Sequence, residues 1–330
     1  MPAQASAGRI ETWDIDELEQ VVQPWDVVLR QTSPGKLHTS MDYVHVNGIV
    51  LYRERWSHRI VATGATPPGF FFFGGPTLSD RGVGWCGTDL GTECLAFGRA
   101  DSEVDFVTPD AEEHICVLVP EQLMRRYLGE EFLTLGLLSA RYLACQRRCG
   151  EHLLQMMERV LDKYLVHRDL LANERTCQAI EWQLMGGLLE FLLTRHTQSS
   201  SACHPGTARY AVVRRAIEFS DATRQPISVS DLAAASGVST RVLEMGFRET
   251  VRTSPGRFIR LNRMNQVRKE LLASDRGATS VTGVLGNWGL TELGRFAVEY
   301  KNLFGESPSA TLRRDIVAPA RRLAHALLER

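Results

Sequence analysis

The chain has 330 residues, of which 44% are hydrophobic and 23% charged, and its formal net charge is −1. This length suits two domains or one large one, and the composition is ordinary for a globular protein. No apolar stretch reaches the roughly 18 residues of a membrane helix, and residues 1–8 lack the charged start and apolar centre of a secretory signal. We therefore expect a cytoplasmic protein.

Charge is divided unevenly along the chain. Residues 207–330 contain 20 Lys and Arg against 12 Asp and Glu, a balance of +8, whereas residues 1–206 have a balance of −9. This division favours a C-terminal part that meets a polyanion, although a solvated basic face would give the same count.

Residues from about 25 to 120 are predicted to form short β-strands. Segments rich in β-branched and aromatic residues begin near Trp25, Ser40, Ile49 and Ile115, and turn residues separate them. This spacing is typical of an antiparallel barrel or sandwich, and we expect a cupin-like one.

Aromatic residues of this region are candidates for the wall of an effector cavity. Aromatic residues at strand spacing more often form a plain hydrophobic core, and both interpretations stay open. The candidates are Tyr43, Trp56, Phe70, Phe71, Phe72, Phe73 and Trp85.

The next segment, up to residue 196, is predicted to be helical. Apolar residues recur at helical spacing over residues 121–128, 151–167 and 176–195. These amphipathic helices either support the barrel or form a dimer face. The fold class is therefore α+β in this part of the chain.

Few residue patterns point to catalysis or metal binding. The seven cysteines form no Cys-x-x-Cys pair, which predicts reduced thiols. No metal-binding spacing, phosphate-binding glycine loop or nucleophile elbow is present, so we predict no metal, no cofactor and no enzyme. Cys145, beside Arg147 and Arg148, is the one candidate for a reactive thiol.

A linker is predicted at residues 197–206, Thr-Gln-Ser-Ser-Ser-Ala-Cys-His-Pro-Gly, because the segment is polar and ends in Pro-Gly. It would divide a first domain, residues 1–196, from an all-α domain, residues 207–330. Residues 315–330 are predicted to form a further amphipathic helix.

Residues 229–250 have the pattern of two helices joined by a tight turn. Ser230 is predicted to cap the first helix, Gly237 to form the turn and Ser239 to cap the second. A helix-turn-helix needs such a turn so that its second helix can enter the major groove of DNA.

The pattern occurs twice. A long helix is predicted at 256–272, and residues 280–301 again form two helical segments with a turn at Gly289. A Ser-Pro pair follows each unit, at 254–255 and at 307–308. The C-terminal domain is therefore predicted to be all-α, with two helix-turn-helix motifs joined by a long helix.

These stretches together resemble the AraC/XylS family of transcription regulators over about residues 207–314. Leu293–Lys301 is similar in particular to the branch that contains the ethanolamine-operon regulator. Leu285 and Leu290 depart from the family pattern, in which Ala and Phe are usual. The resemblance is carried by Asp231-Leu-Ala-Ala-Ala-Ser-Gly-Val-Ser239, Leu243, Phe247, Arg248, Ser254, Pro255, Arg263, Leu271, Leu272, Gly289, Phe296, Lys301, Phe304, Gly305, Ser307 and Pro308.

The resemblance implies seven helices and two recognition helices in successive major grooves, about one helical turn or ~34 Å apart. It assigns base reading to Arg241, Glu244, Met245, Gly294, Arg295 and Val298, and phosphate binding to Arg248, Arg257 and Lys301.

Arg241 and Arg295 are the strongest candidates for base reading, because a guanidinium binds guanine O6 and N7 together. Glu244 is equally consistent with a solvated residue. Gly294 has no side chain to offer, so we expect the second unit to read fewer bases than the first.

The sequence thus predicts a homodimeric, sequence-specific regulator, an activator or a repressor, that binds double-stranded promoter DNA. Its N-terminal domain would dimerise and sense a small effector, and RNA polymerase is a candidate partner. Two alternatives stay open: an enzymatic or cysteine-reactive N-terminal domain fused to the DNA-binding unit, or a regulator without an effector that a protein partner controls.

Overall fold

The computed structural model describes residues 5–23, 25–78, 82–91, 94–129, 142–145, 149–197, 208–275 and 279–314. Strands dominate the first part and helices follow, as the sequence predicts. The strands are β1 (Ser6–Thr12), β2 (Asp26–Gln31), β3 (Thr39–Val46), β4 (Ile49–Trp56), β5 (Ile60–Ala65), β6 (Phe70–Leu78), β7 (Val83–Trp85), β8 (Thr88–Leu90), β9 (Leu95–Gly98), β10 (Glu103–Val107), β11 (Glu112–Pro120) and β12 (Tyr142–Cys145).

The strands form two antiparallel sheets. The larger has the order β1-β3-β4-β11-β6-β9-β12, and the smaller has the order β2-β5-β10-β7-β8. One hydrophobic core contains side chains of both sheets, among them Leu29 and Trp85 of the smaller with Val50 and Phe72 of the larger. The two sheets therefore pack together and enclose a shared apolar interior.

Three helices of the N-terminal part cover the other face of the larger sheet: α2 (Glu121–Leu128), α3 (Cys149–Val166) and α4 (Glu174–Thr197), with a short 3₁₀ helix at Arg168–Ala172. The helix α1 (Ile15–Val21) instead contributes Ile15, Leu18 and Val21 to the core between the two sheets. Met157 of α3 and Leu188 of α4 share a core with Val117 of β11. The interpretation that these helices support the sheets is therefore confirmed.

Four consecutive phenylalanines show why β6 is apolar on both sides. Successive side chains of a strand point to opposite faces. Phe70 and Phe72 accordingly lie in the core between the sheets, whereas Phe71 and Phe73 lie in the core with α3 and α4. Both faces of this strand therefore meet apolar neighbours.

A buried carboxylate on β3 is surrounded by arginines. Asp42 accepts hydrogen bonds from Arg9 Nε at 2.6 Å and Arg55 Nη1 at 2.9 Å, and Arg53 lies 3.4 Å away. Burial by itself would raise the pKa of Asp42, but the hydrogen bonds and charges of Arg9 and Arg55 outweigh it and lower the pKa to about 2.

The substitution Asp42→Asn is expected to destabilise the protein by about 2 kcal/mol at pH 7. The folded state stabilises the charged carboxylate of Asp42 relative to its protonated form, and asparagine has no charge to be stabilised. A depressed pKa contributes stability that is present above pH 4 and lost as the pH falls towards 2. Urea unfolding of both proteins at pH 7, 5, 4 and 3 measures the difference. A difference that stays constant down to pH 3 would contradict this account.

Seven helices follow in the described segments 208–275 and 279–314, as the family resemblance implies. Five serines cap them through their side-chain oxygens, which accept hydrogen bonds from backbone N–H groups in the first turn: Ser228, Ser239, Ser254, Ser280 and Ser307. The helices are α5 (Ala208–Ala222), α6 (Val229–Ala235), α7 (Thr240–Thr250), α8 (Pro255–Ala273), α9 (Val281–Asn287), α10 (Leu293–Phe304) and α11 (Pro308–Leu312).

The predicted cap of α6 is wrong by two residues. The helix begins at Val229, so Ser230 already lies inside its first turn. Ser228 has the extended backbone of a capping residue, and it exchanges hydrogen bonds with Asp231 in a capping box. The predicted cap of α7, Ser239, is confirmed.

The long helix α8 joins two separate hydrophobic cores. Phe258, near its start, packs with residues of α5, α6 and α7. Val267 and Leu271, near its end, pack with residues of α9 and α10. The helix therefore holds the two helix pairs on one rigid element.

Polar side chains of α8 bind the strand β2 across a buried contact. Arg30 donates from Nε to Asn262 Oδ1 at 2.8 Å and also forms an ion pair with Asp221. Asn265 and the backbone of Gln31 exchange two hydrogen bonds, at 3.1 and 3.0 Å. The strands and the C-terminal helices thus share an interface in which the polar groups pair.

The acidic start of α1 makes a second set of contacts with α8. Arg268, whose side chain is 3% exposed, forms ion pairs with Asp14 and Asp16. Lys269 lies 2.6 Å from Glu19. Residues of α1 and α8 therefore neutralise one another in a largely buried setting.

Candidate nucleic-acid interface and cavity

The helices α6 and α7 form the first helix pair. Leu232 of α6 packs with Leu243 and Phe247 of α7, and all three are fully buried. Gly237, in the turn between them, has a φ of +69°, a conformation that favours glycine. The sequence-predicted turn at Gly237 is confirmed.

The outer side of α7 is open to solvent. Arg241, Glu244, Met245 and Arg248 are all exposed, Met245 by 40%. Arg248 Nη2 lies 3.8 Å from Glu244 Oε2, so these two charges partly offset each other. Arg241 is left as the cation nearest the start of the helix, where a recognition helix contacts base edges.

The helices α9 and α10 form the second helix pair. Val284 and Leu285 of α9 and Phe296 and Tyr300 of α10 lie in one core. Gly289 between them has a φ of +64°. The outer side of α10 places Gly294, Arg295, Val298 and Lys301 in solvent.

Arg295 is already bound by carboxylates of its own helix and cap. Its guanidinium lies 2.9 Å from Glu299 and 3.3 Å from Glu292. The hydrogen bond with Glu299 and the nearby negative charges raise the pKa of Arg295. Two carboxylates beside one guanidinium also repel phosphate, so this face is less favourable for DNA than the outer face of α7.

The predicted phosphate ligands lie at three different places. Arg248 is on α7, Arg257 is in the first turn of α8 and Lys301 is in the last turn of α10; all three are exposed. The backbone carbonyl of Asn302, next to Lys301, accepts a hydrogen bond from Gly35 of the N-terminal part at 3.0 Å. Lys301 therefore lies close to the contact between the two parts.

A cavity of ≈ 60 Å³ lies between the two sheets. Three of the seven aromatic residues that the sequence suggests for a cavity wall line it, namely Trp56, Phe72 and Trp85. Tyr43 and Phe70 lie in the same core away from the wall, and Phe71 and Phe73 lie on the opposite face of the sheet. The other aromatic residues of the wall are Trp25, Tyr52 and Phe106.

Polar groups also line the cavity. His114 Nε2 lies 2.9 Å from Glu54 Oε2, and Trp25 Nε1 donates to Tyr52 Oη at 3.0 Å. Burial by itself would lower the pKa of His114, but the hydrogen bond and charge of Glu54 outweigh it and raise the pKa. Burial raises the pKa of the Cys116 thiol, so this wall residue is a neutral thiol at pH 7.

Comparison with known proteins identifies the C-terminal part. A family model described as a helix-turn-helix domain matches residues 232–314. The "Probable thc operon regulatory protein" of Rhodococcus erythropolis is 39% identical over 131 residues, which is 39% of each chain. The "XylDLEGF operon transcriptional activator 3" of Pseudomonas putida is 36% identical over 101 residues, or 30% of each chain. The chain belongs to the AraC/XylS family.

A solved structure is also similar in sequence to part of the chain. It is a probable AraC family transcriptional regulator from Rhodopseudomonas palustris CGA009, 33% identical over 31% of this chain and 95% of that one, with a TM-score of 0.29. The alignments span only 39% and 30% of the lengths of these two curated relatives. The matched residues of this AraC/XylS member include most of α6 and all of α7 to α11, and the strands lie outside the match.

Sequence reasoning missed the polar residues of α8 that bind the N-terminal part. Asn262, Asn265 and Arg268 recur every three residues on one side of a helix, and all three are buried. That spacing places them on a common face. A second stripe, of polar residues, on a helix that already has an apolar stripe could therefore have indicated a buried polar contact with another part of the chain.

The remaining candidate residues have simple outcomes. Cys145 ends β12, and its proposed neighbours Arg147 and Arg148 lie outside the described residues, as do residues 315–330 and all of the predicted linker except Thr197. Within the described residues, Cys86, Cys94, Cys116 and Cys177 are free, and no group of three or more His, Cys, Asp or Glu could hold a metal ion. None of the helices described has the length and apolar character needed to cross a membrane.

Proposed function

We propose that this chain binds specific DNA sequences and regulates transcription at the promoters that contain them. In this proposal the two helix pairs are helix-turn-helix units, and α7 and α10 enter successive major grooves on one side of the DNA. The observation that carries the proposal is the outer side of α7, where Arg241 stands exposed on a helix whose inner side is buried. The balance of +8 over residues 207–330 supports it.

Genome-wide recovery of the DNA bound by the protein in its own cells tests this function. The expected result is a shared motif with two parts about one helical turn, ~34 Å, apart. The best site is then titrated with purified protein against a scrambled duplex of equal length at two salt concentrations. Equal affinity for both duplexes, with no shared motif among recovered fragments, would overturn the proposal.

We also infer that three segments of the chain have different functions. Residues 1–196 would form a cupin-like sensor and dimerisation domain, residues 197–206 a linker and residues 207–330 the DNA-binding domain. The cavity between the sheets supports a sensing role over the alternative without an effector, because a fully packed sheet pair would leave no room for a ligand. The alternative of a cysteine-reactive module depends on Cys145, whose neighbours Arg147 and Arg148 lie outside the described residues, and it stays open.

The outer side of α4 is the surface that we assign to dimerisation with a second copy of the chain. Trp182 is 62% exposed and Leu193 is 53% exposed, although the opposite side of the helix packs on the sheet. With Gly186 and Leu189 they follow the alternating spacing of four, three and four residues. This spacing is typical of a helix that packs along another helix, and the same helix of a second copy would match it by symmetry.

The substitution Trp182→Lys is expected to weaken dimerisation at least 30-fold, because a central tryptophan of an interface contributes 2 kcal/mol or more and the lysine adds a charge that repels its symmetry mate. Sedimentation velocity over a concentration series measures the dissociation constant. Val166→Lys is the matched control, since Val166 is 76% exposed at the end of α3 and lies off this surface. A monomeric parent protein, or equal weakening by both variants, would contradict the assignment.

A further inference from the structure

We propose that the two proposed recognition helices read the C5-methyl groups of thymine, through Met245 of α7 in one half of the DNA site and Val298 of α10 in the other. The inference rests on the proposed DNA-binding function and names the base chemistry that each helix selects. Three observations carry it: where apolar side chains are exposed, which position they have on their helices, and which charges surround them.

Exposed apolar side chains of the C-terminal part are confined to these two helices. Across the described segments 208–275 and 279–314, three large apolar residues are exposed: Val242 by 38%, Met245 by 40% and Val298 by 61%. The first two lie on α7 and the third on α10. Scattered exposed apolar residues are ordinary on a protein surface, whereas these three share the two helices assigned to the major groove. Their placement therefore indicates an apolar contact with DNA.

Met245 and Val298 have the same position on their helices. Each stands two residues before a buried aromatic side chain of its own helix, Phe247 in α7 and Tyr300 in α10. Because a helix has 3.6 residues per turn, a residue two positions away points about 200° from that side chain. Both residues therefore lie at the centre of the outer face, where a helix in the groove comes nearest to the base edges.

The neighbours of Val298 leave it free to meet a base. Gly294, one turn earlier on the same face, has no side chain, and the space where a Cβ would stand is open. Arg295 is held by Glu292 at 3.3 Å and by Glu299 at 2.9 Å. A base edge can therefore approach the backbone at Gly294 and contact the methyl groups of Val298.

Cations border both apolar residues. Arg241 lies four residues before Met245 and Arg248 lies three after it, whereas Lys301 lies three residues after Val298. Residues at these spacings are neighbours on a helix surface. An apolar centre between cations matches the major groove, in which base edges lie between two phosphate backbones. An apolar protein surface would instead desolvate these cations, so DNA is the partner that this face fits.

Thymine has the apolar group that these side chains require. In the major groove guanine, cytosine and adenine present hydrogen-bond donors and acceptors, whereas thymine presents one acceptor and its C5-methyl group. Valine has neither a donor nor an acceptor in its side chain, and the methionine sulfur is only a weak acceptor. A polar base edge held against either side chain would lose its hydrogen bonds with water. The favourable contact is therefore with the thymine methyl group.

Replacement of thymidine by deoxyuridine tests the proposal, because it removes the C5-methyl group and nothing else. The preferred site of the parent chain is synthesised with uracil in place of each thymine in turn, and the full chain is titrated with each duplex at one salt concentration. In each half of the site, we expect at least one replacement to weaken binding about three- to five-fold, the effect of one methyl group that is no longer buried. Uracil without effect at every position would overturn the proposal.

Val298→Ala and Met245→Ala assign the contacts to residues, and each is the matched control for the other. Both positions are exposed and alanine favours a helix, so the fold is retained. Val298→Ala is expected to lose the thymine preference in one half of the site and to keep it in the other half. Met245→Ala should show the reverse pattern. A preference that survives in both variants, or that each variant loses in both halves, would overturn the assignment.

The same titrations distinguish this proposal from the DNA-binding function. A parent chain that selects its site over a scrambled duplex but binds the uracil duplexes equally well overturns the thymine contacts alone. A parent chain without any preference for its site overturns the DNA-binding function, and the thymine contacts with it. If Val298→Ala keeps both the affinity and the thymine preference of the parent, Val298 serves a contact with another protein and the proposal is wrong.

Discussion

Replacement of Arg268 by Met is expected to lower the free energy of unfolding by about 3–5 kcal/mol. This is the usual cost when one partner of a buried ion pair is removed and the other is left charged and buried. The Arg268 side chain is 3% exposed, and its guanidinium forms ion pairs with Asp14, Asp16 and Glu306. Methionine keeps most of the side-chain volume but leaves Asp14, which is also buried, without its main partner. The loss is therefore one of charge pairing and not of packing.

Urea unfolding at pH 7 measures this effect, with Arg248→Met as the control. Arg248 is 71% exposed and pairs only loosely with Glu244, so its replacement should change stability by less than about 0.5 kcal/mol. A loss below about 1 kcal/mol in Arg268→Met would show that the ion-pair cluster is much weaker than its geometry implies.

Burial by itself would raise the pKa of Asp14, but the charges of Arg268 and Arg314 outweigh it and lower the pKa below its ordinary value. A carboxylate of this kind stabilises the folded state above the unfolded pKa of about 4, and the contribution is lost as the pH falls through the lower folded value. The difference between the parent protein and Arg268→Met should therefore shrink in acid.

The second large effect is expected on DNA. Arg241→Ala should weaken binding to the preferred site about 10- to 100-fold, because a two-pronged arginine–guanine contact contributes roughly 1–3 kcal/mol of discrimination. Binding to a scrambled duplex should change much less, since phosphate contacts supply most non-specific affinity. Titration of both duplexes at one fixed salt concentration measures the ratio.

Arg295→Ala is the matched comparison on α10, the other proposed recognition helix. Its guanidinium is held by Glu292 and Glu299, and it must give up those partners before it can bind a base. We therefore expect a loss of specific affinity several-fold smaller than that of Arg241→Ala. A loss equal to or larger than that of Arg241→Ala would mean that the second helix pair contributes as much to DNA specificity as the first. If Arg241→Ala leaves the ratio of the affinities for the preferred and scrambled duplexes unchanged, Arg241 does not contact bases.

The sequence by itself determined the elements that depend on neighbouring residues. Strand and helix periodicity, the cap at Ser239 and the turns at Gly237 and Gly289 all involve groups within a few residues of each other. The cap of α6 shows the limit of such reasoning, because Ser228 and Ser230 are both good caps and only the starting point of the helix chooses between them. The family assignment followed from the same local patterns.

Only the tertiary structure decided which side chains meet across long stretches of chain. Glu54 and His114 are 60 residues apart, and Arg30 and Asn262 are 232 apart. Their pairing depends on sheet order and on how α8 lies against β2, which no local pattern encodes. The aromatic residues of β6 were divided between two cores for the same reason: strand alternation predicts two faces, but the packing of the second sheet decides which face borders a cavity.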